Sequence, residues 1–71
     1  MAKNIKQDNV LTEREFTVMK LIAKGYTNNG ISQILNVSPY TVKNHRQTIV
    51  KKFQAKNCTE AIYKAVKMDL I

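Results

Sequence analysis

Apolar residues recur at helical spacing in four segments, and each segment opens in the same way. An apolar residue precedes a capping hydroxyl, and a second apolar residue follows four positions after the cap, which is the spacing of a hydrophobic staple. The hydroxyls belong to Thr12, Thr27, Ser38 and Thr59. This pattern predicts helices over about residues 13–24, 28–35, 39–53 and 59–68.

Other residues around these segments are typical of helix ends. Glu15 stands three residues after Thr12 and completes a capping box. Gly25 and Asn36 suit the left-handed backbone that closes a helix, and Pro39 suits a first helical position. No segment shows the alternation of a strand, so the sequence predicts an all-α fold.

The predicted organisation is a flexible polar tail at residues 1–9 and one compact four-helix domain at residues 10–71. The inward-facing side chains are expected to come from all four helices. They are Phe16, Val18, Met19, Leu21 and Ile22 in the first, Ile31, Ile34 and Leu35 in the second, Val42, Ile49 and Phe53 in the third, and Ala61, Ala65 and Met68 in the fourth.

The second and third helices are unusually close together in the chain. Their caps, Thr27 and Ser38, leave room for an eight-residue helix and a turn of about three residues. Short helices joined so tightly are typical of a helix-turn-helix, although any pair of antiparallel helices can share this spacing.

The third helix separates apolar from polar residues on a helical wheel. Opposite the apolar arc lie Lys43, Asn44, Gln47, Thr48 and Lys51. Amides can pair with adenine and lysine with guanine, so this face is suited to the edges of bases. A solvated surface is the alternative, but such faces usually mix lysine with glutamate, and this helix has no acid.

Two residues lie near the border of the apolar arc. The Arg46 stem is expected to follow apolar surface, with its guanidinium group reaching solvent, a DNA phosphate or Glu15. His45 is expected to be a partly buried, hydrogen-bonded histidine, and its position is also compatible with a phosphate contact. A metal site is not expected, because the chain has one histidine and one cysteine.

The charge distribution favours a polyanionic partner. The net charge is +7, and no acidic residue occurs from Phe16 through Thr59. An uninterrupted positive field on so small a domain attracts nucleic acid, while a basic surface kept for solubility is the alternative. The cations of this stretch are Lys20, Lys24, Lys43, Arg46, Lys51, Lys52 and Lys56.

Several other classes of protein are disfavoured. No apolar run approaches the length of a membrane span, and the first ten residues do not resemble a secretion signal. The single cysteine, Cys58, fits a reducing cytoplasm. No catalytic pair or glycine-rich phosphate loop is recognisable, so we expect neither an enzyme, a cofactor nor a small-molecule ligand.

The fourth helix has a second apolar stripe beside the one assigned to the core. The spare stripe predicts a homodimer, whereas an apolar carboxyl end without a partner is the alternative. Two third helices would then lie about one DNA turn apart and would favour an inverted-repeat site. The stripe consists of Ile62, Tyr63, Val66 and Leu70.

The run from residue 11 to the end resembles the LuxR-type helix-turn-helix of bacterial transcription regulators. The resemblance rests on the LTERE opening, the GYTNNGIS segment and TVKNHRQTIVKKF. It implies that Lys43, Asn44 and Gln47 contact bases in the major groove, and that the last helix forms a two-fold interface. It also implies contacts near the DNA backbone from Thr27, Asn28, Ser38, Thr41, His45 and Lys51.

Three positions depart from the family pattern. Gly30 replaces the usual acid of the second helix, so this helix is expected to lack its capping-box partner and to fray. Cys58 replaces a common arginine. Asp69 replaces the usual glycine, which leaves the end of the last helix open.

The leading hypothesis is a transcription regulator, stand-alone or an output domain, that binds double-stranded DNA; RNA polymerase is a further candidate partner. The alternative is an interaction module that binds another regulator through helix 59–68 without contacting DNA. A sigma-factor-like promoter reader shares the tight helix pair but would need polymerase-docking features that this sequence lacks. A salt-dependent DNA titration separates the first two hypotheses.

Overall fold

Four helices account for the secondary structure of residues 11–71. The computed structural model describes residues 11–71, and this part of the chain contains no strand. The predicted all-α fold is confirmed, while the predicted polar tail, residues 1–9, lies outside the described residues. The helices are α1 (Glu13–Ala23), α2 (Asn28–Leu35), α3 (Pro39–Lys52) and α4 (Cys58–Lys67).

The first three helices begin at the predicted caps. The Thr12 hydroxyl accepts the Glu15 N–H at 3.1 Å, and the Glu15 carboxylate accepts the Thr12 N–H at 3.0 Å, so the capping box is present. The Thr27 hydroxyl accepts the Gly30 N–H at 3.0 Å. The cap of α2 is therefore formed although Gly30 cannot supply the reciprocal carboxylate.

The fourth helix begins earlier than predicted. The cap is Asn57, whose side-chain oxygen accepts the Glu60 N–H at 2.8 Å, and not Thr59. The Glu60 carboxylate accepts the Lys56 N–H at 2.6 Å. Glu60 lies three residues after Asn57, and this spacing lets one amide and one carboxylate satisfy two backbone donors at the helix entry.

All four helices close in the same way. A residue with positive φ follows each helix, and the next N–H donates to a carbonyl five residues earlier, as in a Schellman motif. For α4, Leu70 N–H donates to the Ala65 carbonyl at 2.9 Å. Asp69 thus takes the conformation that glycine adopts most easily. The four residues are Gly25 (φ 97°), Asn36 (59°), Gln54 (52°) and Asp69 (61°).

The core lies around α3, which packs against each of the other three helices. Phe53 and Leu35 are half-buried at its edge. The side chains with no exposed surface are Val18, Met19, Ile31, Val42, Ile49, Ala61 and Ala65.

Two residues predicted to face the core do not. Ile34 is 53% exposed and Met68 is 46% exposed. On α2 the buried positions are Ile31 and Ser32, so the buried arc is rotated away from Ile34. Burial of Ser32 is tolerated because its hydroxyl donates to the Asn29 carbonyl at 2.8 Å. Met68 is the residue just past the end of α4, and beyond it Leu70 and Ile71 pack against the core while Met68 does not.

An ion pair joins the beginning of α1 to the end of α3. Lys52 Nζ donates to Glu15 Oε1 at 2.7 Å, and the two side chains are 18% and 8% exposed. Burial raises the pKa of Glu15, but the hydrogen bonds from Lys52 and the Thr12 N–H outweigh it, and the pKa is lowered. Arg46, one of whose predicted partners was Glu15, binds elsewhere. The pair holds the far end of α3 in place.

Candidate nucleic-acid interface

The outward side of α3 is polar and cationic. Val42 and Ile49 have no exposed surface, whereas four of the five side chains predicted on the opposite side are exposed. The fifth, Thr48, is half-buried. We call this exposed side the recognition face and define it by Lys43, Asn44, Gln47 and Lys51. Because the apolar side is anchored in the core, the recognition face is presented on a rigid helix.

The recognition face borders an open concavity that has several positive charges. Lys43, Arg46, Lys51 and Lys56 line it, and no carboxylate from residues 11–71 does. A positive surface without competing acids is suited to phosphate groups. The remaining lining residues are Asn28, Asn44, Gln47, Thr48, Val50 and Asn57.

Lys56 and Asn57 were not among the residues predicted to contact DNA. They lie in the segment between α3 and α4, outside the helix that carries the recognition face. For Lys56, the sequence did contain an indication of a DNA contact, because this lysine belongs to the stretch without acidic residues. For Asn57 the sequence contains no such indication, because its position beside α3 depends on the turn that leads into α4.

Arg46 forms a contact between the two helices of the helix-turn-helix. Its Nη1 donates to Asn28 Oδ1 at 3.0 Å, in a partly buried position. The sequence predicted that the Arg46 guanidinium reaches solvent, a phosphate or Glu15, and Asn28 was not among these predicted partners. Asn28 is the first residue of α2, so this bond fixes the start of α2 against the middle of α3.

The hydroxyl groups predicted near the DNA backbone lie at the amino ends of α2 and α3. Thr27 and Ser38 are exposed, and each accepts a backbone N–H of its own helix. The hydroxyls of Ser38 and Thr41 are 3.1 Å apart and share a hydrogen bond. Free N–H groups at a helix amino end favour an anion, so both ends are suited to phosphates.

His45 is half-buried and contributes to the lowering of the Glu15 pKa. Its partial burial places it at the border between the buried side of α3 and the recognition face. Within residues 11–71, no three histidine, cysteine or acidic side chains are grouped in a way that could hold a metal ion.

The predicted interface on α4 is divided by the structure. Tyr63 and Val66 are 60% and 51% exposed, but Ile62 and Leu70 are half-buried and pack against the core. Met68 is exposed as well, but it lies just past the end of α4 and on the side of Ala61 and Ala65, so the apolar surface left on this helix consists of Tyr63 and Val66. None of the described helices is long and apolar enough to span a membrane.

Comparison with known proteins agrees with this architecture. The model of the family described as "Bacterial regulatory proteins, luxR family" matches residues 9–65. The response regulator protein VraR of Staphylococcus aureus is 37% identical over 71 residues, which is 100% of this chain and 34% of the relative. VraR of Staphylococcus epidermidis gives the same values. The chain thus spans about a third of the length of these curated relatives.

A solved structure has the same fold. The structure described as that of "Transcription factor, GerE" superimposes with a TM-score of 0.80 at 29% sequence identity. The match covers 83% of this chain and 88% of the other.

Proposed function

The chain belongs to the luxR family of bacterial regulatory proteins, and we propose that it binds specific sites on double-stranded DNA through α3. The family consists of DNA-binding regulators and is not a class of enzymes. Transcription regulation is thus the general function. The choice of DNA site and the assembly on it are what we propose for this chain.

The observation that carries the proposal is the recognition face. Lys43, Asn44 and Gln47 are exposed on one side of α3, and Val42 and Ile49 on the opposite side have no exposed surface. In the major groove, lysine donates to the O6 and N7 acceptors of guanine, and the amides form paired hydrogen bonds with adenine. We assign base contacts to these three residues.

Phosphate contacts are assigned to the residues around this face. Thr27, Ser38 and Thr41 lie at helix amino ends, and Lys51 and Lys56 line the cationic concavity. His45 remains a candidate at the edge of α3. Since Arg46 donates to Asn28, we assign these two residues the task of holding α2 against α3, which sets the position of the hydroxyls relative to the recognition face.

We also propose that the domain binds DNA as a homodimer through α4. Tyr63 and Val66 leave an exposed apolar surface on α4 that a second copy would cover. Two copies related by two-fold symmetry predict an inverted-repeat site with half-sites about 10 base pairs apart. RNA polymerase is a further proposed partner, and the bacterial cytoplasm, where such DNA lies, is the proposed location.

The alternative is that α4 binds another regulator and α3 does not contact DNA. The same exposed surface on α4 supports it, since Tyr63 and Val66 could accept any apolar partner. The recognition face distinguishes the two proposals, because an interaction module gains nothing from a cationic helix face that lacks acids.

The decisive experiment is selection of bound sequences from a random pool of duplex DNA. We expect an enriched inverted repeat, which tests DNA binding, symmetry and spacing together. Fluorescence anisotropy on the selected duplex should then show affinity falling steeply with salt. If Lys51 and Lys56, the two lysines assigned to phosphates, each neutralise one phosphate, the slope of log K against log salt is about −2 per protomer. Weak, salt-independent binding with no enriched sequence would favour the interaction module.

A further inference from the structure

Tyr40 is an exposed aromatic residue at the start of α3, and neither a base contact nor a phosphate contact has been assigned to it. Its side chain is 70% exposed, the largest value among the exposed large hydrophobic residues of the described chain. It is the second residue of α3. A large ring held in water at the start of this helix needs an explanation, because the ring contributes little to the core.

The position of Tyr40 on the helix aligns it with the recognition face. At about 100° per residue, it lies within about 60° of Lys43, Asn44, Gln47 and Lys51. Val42 and Ile49, which have no exposed surface, lie about 160–180° away from it. Tyr40 therefore extends the recognition face towards the amino end of α3.

The backbone that holds Tyr40 is well defined. Ser38 caps the helix and accepts the Thr41 N–H at 3.1 Å, and Pro39 occupies the first helical position. Tyrosine has only two side-chain torsions to order, so a contact from this position loses little conformational entropy.

We propose that Tyr40 is a specificity-determining residue that packs its ring against the 5-methyl group of a thymine in the bound site. The proposal rests on the proposed function, since it requires α3 to lie in the major groove. The defined recognition face offers amides and amines but no apolar group. Thymine is the base that presents a methyl group in the major groove, and apolar side chains recognise it by contact.

The spacing fits the neighbouring contact. Residues four apart on a helix have Cβ atoms about 6 Å apart, and successive bases rise about 3.4 Å. Tyr40 and Asn44 are four residues apart, so the ring falls within about two base pairs of an adenine bound by Asn44. A recognition helix also contacts base edges chiefly through its amino-terminal residues, where Tyr40 lies.

The test combines a protein variant with a change of one chemical group in the DNA. On the duplex selected by the wild-type chain, each thymine is replaced in turn by deoxyuridine, which removes only the methyl group. The affinities of wild type, Tyr40→Ala and Tyr40→Phe are measured by anisotropy. We expect one thymine per half-site at which deoxyuridine weakens the wild type about fourfold, the effect of burying one methyl group.

Tyr40→Ala should bind the unmodified duplex correspondingly less well and should be insensitive to deoxyuridine at that position. Tyr40→Phe should behave as the wild type, because the ring and not the hydroxyl makes the contact. Ile34→Ala is the matched control, since it shortens an exposed apolar side chain on α2. Its affinity for the selected duplex and its sensitivity to deoxyuridine should remain those of the wild type.

Three results would overturn the proposal. Unchanged binding by Tyr40→Ala would show that the ring makes no contact. Equal losses in Tyr40→Ala and Tyr40→Phe, with no sensitive thymine, would assign the effect to a hydroxyl–phosphate contact. Failure of the wild type to select any sequence would instead refute the proposed function and the contact with it, so the two failures are distinguishable.

Discussion

Replacing Glu15 by glutamine removes one negative charge from the contact between α1 and α3 and changes the shape of the side chain little. Glutamine can still accept the Thr12 N–H, because either residue completes a capping box. Lys52 can still donate to the side chain at position 15, but the acceptor no longer carries a negative charge. Both side chains are mostly buried, at 8% and 18% exposure, so solvent screens the pair only in part.

The size of the effect follows from the loss of the attraction between the two charges, because Lys52 stays charged and can still donate to the glutamine oxygen. An exposed ion pair contributes about 0–1 kcal/mol, and removing one partner of a buried pair costs about 3–5 kcal/mol. For this mostly buried pair, with the hydrogen bond retained, we expect Glu15→Gln to lower the free energy of unfolding at pH 7 by about 1–2 kcal/mol. For a domain of this size, that loss lowers Tm by about 4–16 °C.

The effect should depend on pH in a defined direction. The pKa of Glu15 is lowered in the folded protein, so its stabilisation is fully present above the ordinary glutamate pKa. It is lost as the pH falls through the lower, folded value. The difference between wild type and Glu15→Gln should therefore be largest at pH 7 and should shrink as the pH is lowered towards 3. Urea unfolding followed by far-UV circular dichroism measures it.

Glu13→Gln is the matched control. Glu13 is exposed in the same first turn, and its carboxylate interacts with the helix dipole, for which about 0.3–1 kcal/mol is typical. Equal losses in the two variants, or a Glu15→Gln deficit of the same size at pH 7 and pH 3, would refute the assignment of this stabilisation to the charge pair with Lys52.

Three further predictions concern the backbone, the recognition face and α4. Gly25→Ala should lower the free energy of unfolding by about 1–2 kcal/mol, because φ at this residue is 97°. Gly30→Ala, inside α2, should raise the free energy of unfolding by up to about 1 kcal/mol. Thermal melts in which both variants shift Tm in the same direction would contradict this pair of predictions. Lys43→Ala and Gln47→Ala should each weaken specific DNA binding by about 1–3 kcal/mol with unchanged circular dichroism, and full specificity in both would contradict the base contacts. Val66→Asp should reduce self-association in sedimentation experiments and weaken DNA binding with it, without lowering Tm, since Val66 is 51% exposed; an Asp variant that binds DNA as tightly as the wild type would contradict the dimer.

The same substitution at Ile62 would be a poor test of the dimer. Ile62 is half-buried against the core, so a charge there would destabilise the monomer as well as any interface. The sequence grouped Ile62 with Val66 because both lie on one apolar stripe. Only the packing of α4 showed that the stripe is divided between the core and the exposed surface.

The beginnings of α1, α2 and α3 could be predicted from the sequence because a cap is a local interaction. Thr12, Thr27 and Ser38 each bond an N–H three residues away, and that spacing is visible in the chain. The predicted start of α4, near Thr59, lies too far along the chain. The prediction considered only serine and threonine as caps, whereas the cap of α4 is the side-chain amide of Asn57.

The sequence by itself also determined the orientation of α3. Val42 and Ile49 lie opposite Lys43, Asn44 and Gln47, so rotation of the helix by half a turn would bury these polar residues and expose Val42 and Ile49. The resemblance to the LuxR-type regulators could also be seen in the sequence alone, because it depends on short runs of residues.

Tertiary structure decided the partners of residues at the borders of these faces. Ile34 is exposed while Ser32 is buried, Arg46 donates to Asn28, and Lys52 pairs with Glu15. A helical wheel gives the direction of each side chain but not which helix lies opposite. Caps depend on residues three apart along one chain segment, whereas these contacts depend on how separate helices are placed, and the free energy that selects that placement belongs to the whole core.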